Sequence, residues 1–273
     1  MIHVHRVGEV VVFRLARSLF GRGVYYTAAY YVDGLLVDTG CAYTVDELLQ
    51  ALEGYPVHLV VNTHSHEDHI GANRAVQARF GAQIFVHPLA RAPLANPRGK
   101  MRLRPYQLLM WGYPDPSEAL PVGDRIETEH YCFEVIRTPG HSPDHICLYE
   151  PNRGWLFCGD AYVGGQDRSL RADYNIWQII ESLRVMAERE VTCLFPGSGK
   201  ERERANPELS AKISYLEETA EKVLSLHERG WGYPRIRREL FGRELMIAYW
   251  TLGNFSGRHL VRSFVEDRPT HDV

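Results

Sequence analysis

Short apolar runs, punctuated by glycine, proline and acidic residues, set the reading of this chain. Val10-Val11-Val12-Phe13, Tyr25 to Val32 and Leu35-Leu36-Val37 have strand length and composition, with a turn at Asp33-Gly34 between the last two. Val45, Leu48, Leu49 and Leu52 recur at helical spacing and stop at Gly54-Tyr55-Pro56. A strand over Val57 to Val61, a helix from His69 to Phe80 closed by Gly81, and a strand over Gln83 to Val86 are predicted next. That order predicts a layered α/β arrangement. Arg125 to Thr128, Cys132 to Arg137, Ile146 to Tyr149 and Trp155 to Cys158 read as further strands, Tyr174 to Ala187 as a helix, and Val191 to Phe195 as the last strand. From Pro207 the pattern is helical: a long amphipathic stretch to Gly230, then Pro234 to Phe241, a helix from Glu244 past Tyr249, and His259 to Val265.

Chemistry gathers just past the strand ends. The run from Val57 to Val61 leads into Asn62-Thr63-His64-Ser65-His66-Glu67-Asp68-His69, which packs three histidines and two acids together. In extended backbone alternate side chains share a face, so His64, His66 and Asp68 point one way. Imidazole and carboxylate together suit Zn, Fe, Mn or Ni better than Ca or Mg. Asp38 follows Leu35 to Val37, either as a turn acid or as a group that orients a metal ligand. Cys132 to Arg137 runs into Thr138-Pro139-Gly140-His141-Ser142-Pro143-Asp144-His145, where His141 is the natural additional ligand and His145 supports the loop. Asp160 follows the strand that ends at Cys158. One placement repeated four times predicts a single metal site at a sheet edge.

Residues 88 to 121 interrupt the pattern with repeated prolines, basic residues and the aromatic Tyr106, Trp111 and Tyr113, the composition of a lid over a site. A net charge of -3 over 273 residues gives no general attraction to nucleic acid or acidic membrane. No apolar stretch reaches the roughly 18 residues of a membrane span, and Met1-Ile2-His3-Val4-His5 lacks the regions of a signal peptide, so the expected location is cytoplasmic. Five cysteines lie mostly inside apolar runs with no CxxC pair, which predicts buried free thiols. Arg235, Arg237, Arg238, Arg258 and Arg262 in the tail form no nucleic-acid recognition motif. Packing on the core, a substrate wall or a homodimer contact is the expected use of that tail.

Together, THxHxDH over Thr63 to His69, TPGH at His141, GD at Asp160 and VDTG around Asp38 resemble the metallo-β-lactamase superfamily across about residues 5 to 200. The resemblance implies an α/β fold, a four-layer αββα sandwich. It places a catalytic domain over residues 1–204, with the lid at about 88–121, and a C-terminal helical extension over 205–273. It also implies that His64, His66 and His141 form a first metal site, that Asp68 and His69 serve a second, and that Asp160 bridges them. One or two Zn ions are the implied cofactor, with Fe or Mn as alternatives. A metal-bound hydroxide would be the nucleophile, with Asp68 orienting it or accepting its proton. One position departs from the pattern. The superfamily's last histidine lies in a turn like PGHG, and this chain has Pro196-Gly197-Ser198-Gly199, so Ser198 takes a ligand position with a hydroxyl that binds Zn poorly. Asp68, His69 and Asp160 would still leave that site three protein ligands. The implied activity is a glyoxalase II-like hydrolysis of a small-molecule ester, thioester or lactone. The alternatives are a mononuclear Fe(II) persulfide dioxygenase using His64, His141 and Asp160, and an RNA-processing metallo-nuclease.

Overall fold

A computed structural model describes residues 1–269. The first half forms a seven-stranded sheet in sequential order: β1 (Ile2–Val7), β2 (Val10–Leu19), β3 (Arg22–Val32), β4 (Leu35–Val37), β5 (Leu59–Val61), β6 (Gln83–Val86) and β7 (Leu120–Pro121). Pairing is antiparallel as far as β4 and parallel from β4 to β7. The second half supplies β8 (Arg125–Glu127), β9 (Cys132–Arg137), β10 (Ile146–Glu150), β11 (Trp155–Gly159), the two-residue β12 (Leu170–Arg171), β13 (Cys193–Pro196) and the two-residue β14 (Phe255–Ser256). Five of these make a second sheet in the order β13-β11-β10-β9-β8, and β12 pairs with β14 alone.

Strand alternation sorts the apolar residues into three layers. Val10, Val12, Tyr30, Val37 and Val61 of the first sheet meet Phe133, Ile146, Leu148, Phe157 and Phe195 of the second in the central layer. The opposite side chains of the first sheet, Val11, Phe13, Leu36 and Val60, pack under α1 (Val45–Ala51) and α2 (Asn73–Phe80) with Leu48, Leu52 and Val76. Cys147, Leu156, Cys158 and Leu194 face the other way, onto the helices of the second half. β10, β11 and β13 are therefore buried on both faces, which explains their unbroken apolar sequences. Residues 88 to 121 include α3 (Arg91–Ala95), α4 (Pro97–Lys100) and α5 (Pro105–Met110). The outer layer of the second half is α6 (Ile176–Ala187) with the C-terminal α7 (Ala205–Glu228), α8 (Tyr233–Phe241) and α10 (Gly257–Glu266), and the short α9 (Met246–Trp250) precedes β14. This is the four-layer αββα sandwich, and residues on both sides of position 204 share one apolar cluster. No helix among the described residues is long and apolar enough to cross a membrane. All five cysteines are free, and four are buried.

Two differences from the predicted elements bear on the site. α2 begins at Asn73 instead of His69, because the backbone of residues 69–72 is bonded across to the loop after β4. The His69 carbonyl accepts from the Thr39 amide at 2.8 Å and from Asn62 Nδ2 at 3.2 Å, and the Gly71 amide donates to the Gly40 carbonyl at 2.7 Å. A side chain at Gly71 would meet the Cys41 backbone at 2.1 Å, so the two loops approach as closely as they do only with glycine there. Residues 88 to 121, read from sequence as an interruption of the pattern, hold three short α-helices.

Candidate metal centre

β4 and β5 run parallel, as do β11 and β13, and β9 points the same way as β11 across antiparallel β10. The loops after all five strands therefore open at one edge of the sandwich. The sheets are tied there by a bond from the Ile146 amide to the Thr63 carbonyl at 2.8 Å and by Asp144, whose carboxylate accepts the Ser65 amide at 2.9 Å.

His64, His66 and His141 meet at that edge. His64 Nε2 lies 2.9 Å from His66 Nδ1 and 3.2 Å from His141 Nε2, and His66 Nδ1 lies 2.9 Å from His141 Nε2. Burial, aided by the neighbouring imidazoles, holds His64 and His141 well below the ordinary imidazole range, and burial with the Arg171 charge does so for His66. Three neutral rings thus turn lone pairs toward one point. A tetrahedral ion with Zn–N bonds of about 2.0–2.1 Å sets its nitrogens about 3.3–3.4 Å apart, close to this spacing.

A second group adjoins the first. His69 Nδ1 lies 2.7 Å from Asp38 Oδ2, which places one ring proton there and turns Nε2 toward the other carboxylates, where a cation would take the place of its proton. Nε2 is buried without a hydrogen-bond partner, 3.5 Å from Asp160 Oδ1 and 3.9 Å from Asp68 Oδ2. The other oxygen of Asp160 lies 3.6 Å from His141 Nε2, so one carboxylate faces both groups. Burial and then the Glu67 and Asp160 charges push Asp68 up to about 7, against the pull of His69. Burial would depress His69, but Asp38, Asp160 and Asp68 outweigh it and raise the ring well above its ordinary range. An orphaned buried nitrogen and crowded carboxylates are what a divalent cation would satisfy, so these residues fit a metal.

The supporting contacts are equally specific. Asp38, buried with a left-handed backbone (φ 60°), accepts from the Thr63 amide and the Thr63 hydroxyl at 2.8 Å each as well as from His69. His145 Nε2 accepts the Asp160 amide at 3.1 Å while Nδ1 faces Thr138 Oγ1 at 2.8 Å, and burial pushes this imidazole down to about 4. Ser198 does not join the cluster in this way. Its side chain is exposed, and the close approach is made by Gly197, where a Cβ would stand 2.1 Å from Asp160 Oδ1. Gly197 is therefore a site residue that its place beside Ser198 did not reveal.

The sequence did not single out the residues that close the site from outside. Glu67, buried in the histidine motif, accepts a 2.7 Å bond from Gln107 of α5, and burial raises its carboxyl. The Tyr174 hydroxyl lies 3.3 Å from His141 Nε2, and Arg171 of β12 stacks on Tyr174 at 5.2 Å while pairing bidentately with Asp173. Asp144 was visible as an acid beside His145, but Tyr174 was submerged in the helical pattern predicted from Tyr174 to Ala187 and stands just before α6.

Known proteins bear on this geometry. A hydroxyacylglutathione hydrolase of Thermosynechococcus vestitus is 34% identical over 112 residues, 41% of this chain and 37% of that protein. One of Haemophilus influenzae is 28% identical over 187 residues, covering 61% of this chain and 84% of the relative. The chain spans less than two thirds of two curated relatives that match it strongly, the first of these and an uncharacterised Aquifex aeolicus protein, of which it covers 61%. Among solved structures, a metallo-beta-lactamase family protein of Thermus thermophilus superposes with a TM-score of 0.69 at 16% identity, covering 96% of this chain and 94% of its own. At that identity the likeness speaks for the fold, including the C-terminal helices. The family model of the metallo-beta-lactamase superfamily matches residues 22–198, and with the strands from β3 to β13 and the strand-end motifs inside that span, the chain belongs to this superfamily.

Proposed function

We propose that this protein is a metal-dependent hydrolase of a small-molecule ester, thioester or lactone, in the glyoxalase II-like manner. The observation that carries the reading is the pair of adjoining donor groups that share Asp160. His64, His66 and His141 would hold one divalent ion, and His69, Asp68 and Asp160 the other, with Zn the first choice. Bound ions supply Lewis acidity and an activated water at neutral pH. The chain does the rest. Asp68 orients the attacking water and accepts a proton at its carboxylate. Asp38 holds His69 in one tautomer, and His145 holds Asp160 in place through its backbone amide. Glu67 and Gln107 fasten α5 over the site, which limits bulk water.

The division into a catalytic domain (1–204) and a helical extension belongs to this proposal, as does a cytoplasmic location. In support, Asn254, just before β14, donates to the Tyr106 hydroxyl of α5 at 2.8 Å, so the C-terminal segment reaches the lid beside the site. The relatives named as hydroxyacylglutathione hydrolases make that thioester the first substrate to try. Hydrolysis of a hydroxyacylglutathione, a simple thioester and a lactone is measured with and without chelator. Activity lost on chelation and restored by Zn supports the reading, and no turnover of any substrate by metal-loaded protein contradicts it. A second reading, a single-iron dioxygenase on His64, His141 and Asp160, draws on the exposed Ser198 at the place of the last ligand. Oxygen uptake with a persulfide would favour it.

A further inference from the structure

Five aromatic rings from four segments stand around the outer side of the donor groups. Tyr25 of β3 and Trp111 at the end of α5 meet edge to face at 5.2 Å, and Trp111 meets Tyr106 at 6.2 Å. Across the opening, Tyr174 meets Phe255 of β14 edge to face at 6.0 Å. The bond from Asn254 to the Tyr106 hydroxyl joins the two halves into one collar. Its inner end touches the chemistry, since the Tyr174 ring lies 4.4 Å from His141 and stacks within 18° on His66. None of the five is sealed in the core, and Tyr25 is 52% exposed.

Two features of this collar cost the folded chain something that its own contacts do not return. Tyr25 has a left-handed backbone (φ 55°), a conformation that bulky residues rarely adopt and that clusters at functional sites. The Trp111 indole N–H is buried with no acceptor, an arrangement that native proteins seldom leave unexplained.

We propose that the collar is the specificity site, and that the substrate's acyl group carries a planar aromatic ring. Tyr25, Trp111 and Tyr106 pack against that ring edge to face. The inference rests on the hydrolase reading for its reaction. Water's oxygen joins the acyl carbon, the bond to the leaving oxygen or sulfur breaks, and the leaving group departs with a proton. A glutathione thioester with an aliphatic acyl group presents amides and carboxylates here, and no ring.

The test compares phenylacetyl and acetyl thioesters of one thiol, and in parallel the binding of phenylacetate and acetate to the metal-loaded protein by calorimetry. The expected result is a preference of about tenfold or more for the phenyl member in both experiments, carried by KM in the kinetic one. Trp111→Leu and Tyr25→Asn, the latter suited to a left-handed backbone, are expected to bring that preference to within about twofold. Trp111→Phe keeps an aromatic ring and is expected to keep most of the preference. Equal binding of the two carboxylates, or a preference that survives both ring removals, overturns the proposal. Phenylacetate binding without thioester hydrolysis would leave the collar standing and remove the hydrolase reading. Hydrolysis of both thioesters with equal kcat/KM and equal carboxylate binding would do the reverse.

Discussion

Replacing Asp38 with asparagine changes one oxygen into NH₂ at a position that holds three hydrogen bonds. Asp38 now accepts from the Thr63 amide, the Thr63 hydroxyl and His69 Nδ1, at 2.8, 2.8 and 2.7 Å. If the asparagine keeps its carbonyl on the Thr63 amide, its NH₂ confronts the protonated Nδ1 of His69. The ring must then move its proton to Nε2, the atom that faces Asp68 and Asp160, and lose the lone pair available to a cation there. Loss of such an orienting partner typically lowers metal affinity about 10- to 100-fold, which is about 1.4–2.7 kcal/mol. The effect is directional, because Asp38 reaches the His64 group only through Thr63 Oγ1, 3.0 Å from His64 Nδ1. Chelator competition on Asp38→Asn should therefore show the weaker of two ions weakened further and the tighter one nearly unchanged. Affinities within about threefold of wild type at both positions would refute the orienting role, and equal losses at both would mean that Asp38 acts through the fold instead.

Four further outcomes are expected. His66→Ala or His141→Ala removes the ion held by the three imidazoles, read as a lower metal content per chain by elemental analysis. Gly197→Ala drives a methyl to 2.1 Å from Asp160 Oδ1 and should destabilise the metal-loaded protein by about 1–3 kcal/mol, as overpacking does, measured by denaturant unfolding. Ser198→His offers the second group the ligand that it lacks and should raise its metal affinity, so an unchanged affinity means that this turn does not reach the site. His145 is held neutral at about 4, below the roughly 6.5 of a free imidazole, so the folded state binds fewer protons than the unfolded one between those values. Its contribution, up to about 3 kcal/mol, is complete above pH about 6.5 and is lost as pH falls through about 4. His145→Asn should flatten the acid limb of a stability–pH curve.

How much of this was legible in the sequence depended on the range of the interaction concerned. The unbroken apolar runs from Val10, Ile146 and Trp155 gave strands correctly, because burial on both sides is written directly in the side chains. Placement of His64, His141 and Asp160 past strand ends followed from the same pattern. β1 escaped it because His3, His5 and Arg6 make an exposed edge strand look like a polar terminus. β12 and β14 were invisible for another reason: two residues that pair with two others far along the chain carry no local signature, yet they hold Arg171 and Phe255 beside the site. The helix predicted from His69 fits the local periodicity, but long-range bonds from Thr39, Asn62 and Gly40 hold residues 69–72 out of it. The exposure of Ser198 and the approach of Gly197 to Asp160 depend on how β13 is placed beside β11, which a motif comparison does not contain.

The central claim is that two adjoining donor groups share Asp160 and together hold the metal that does the chemistry. Elemental mass spectrometry of freshly purified protein, without added metal, tests it most directly. The account predicts two divalent transition-metal ions per chain, predominantly zinc, falling to one in His69→Ala. A single iron per chain, unchanged by that substitution, would contradict it.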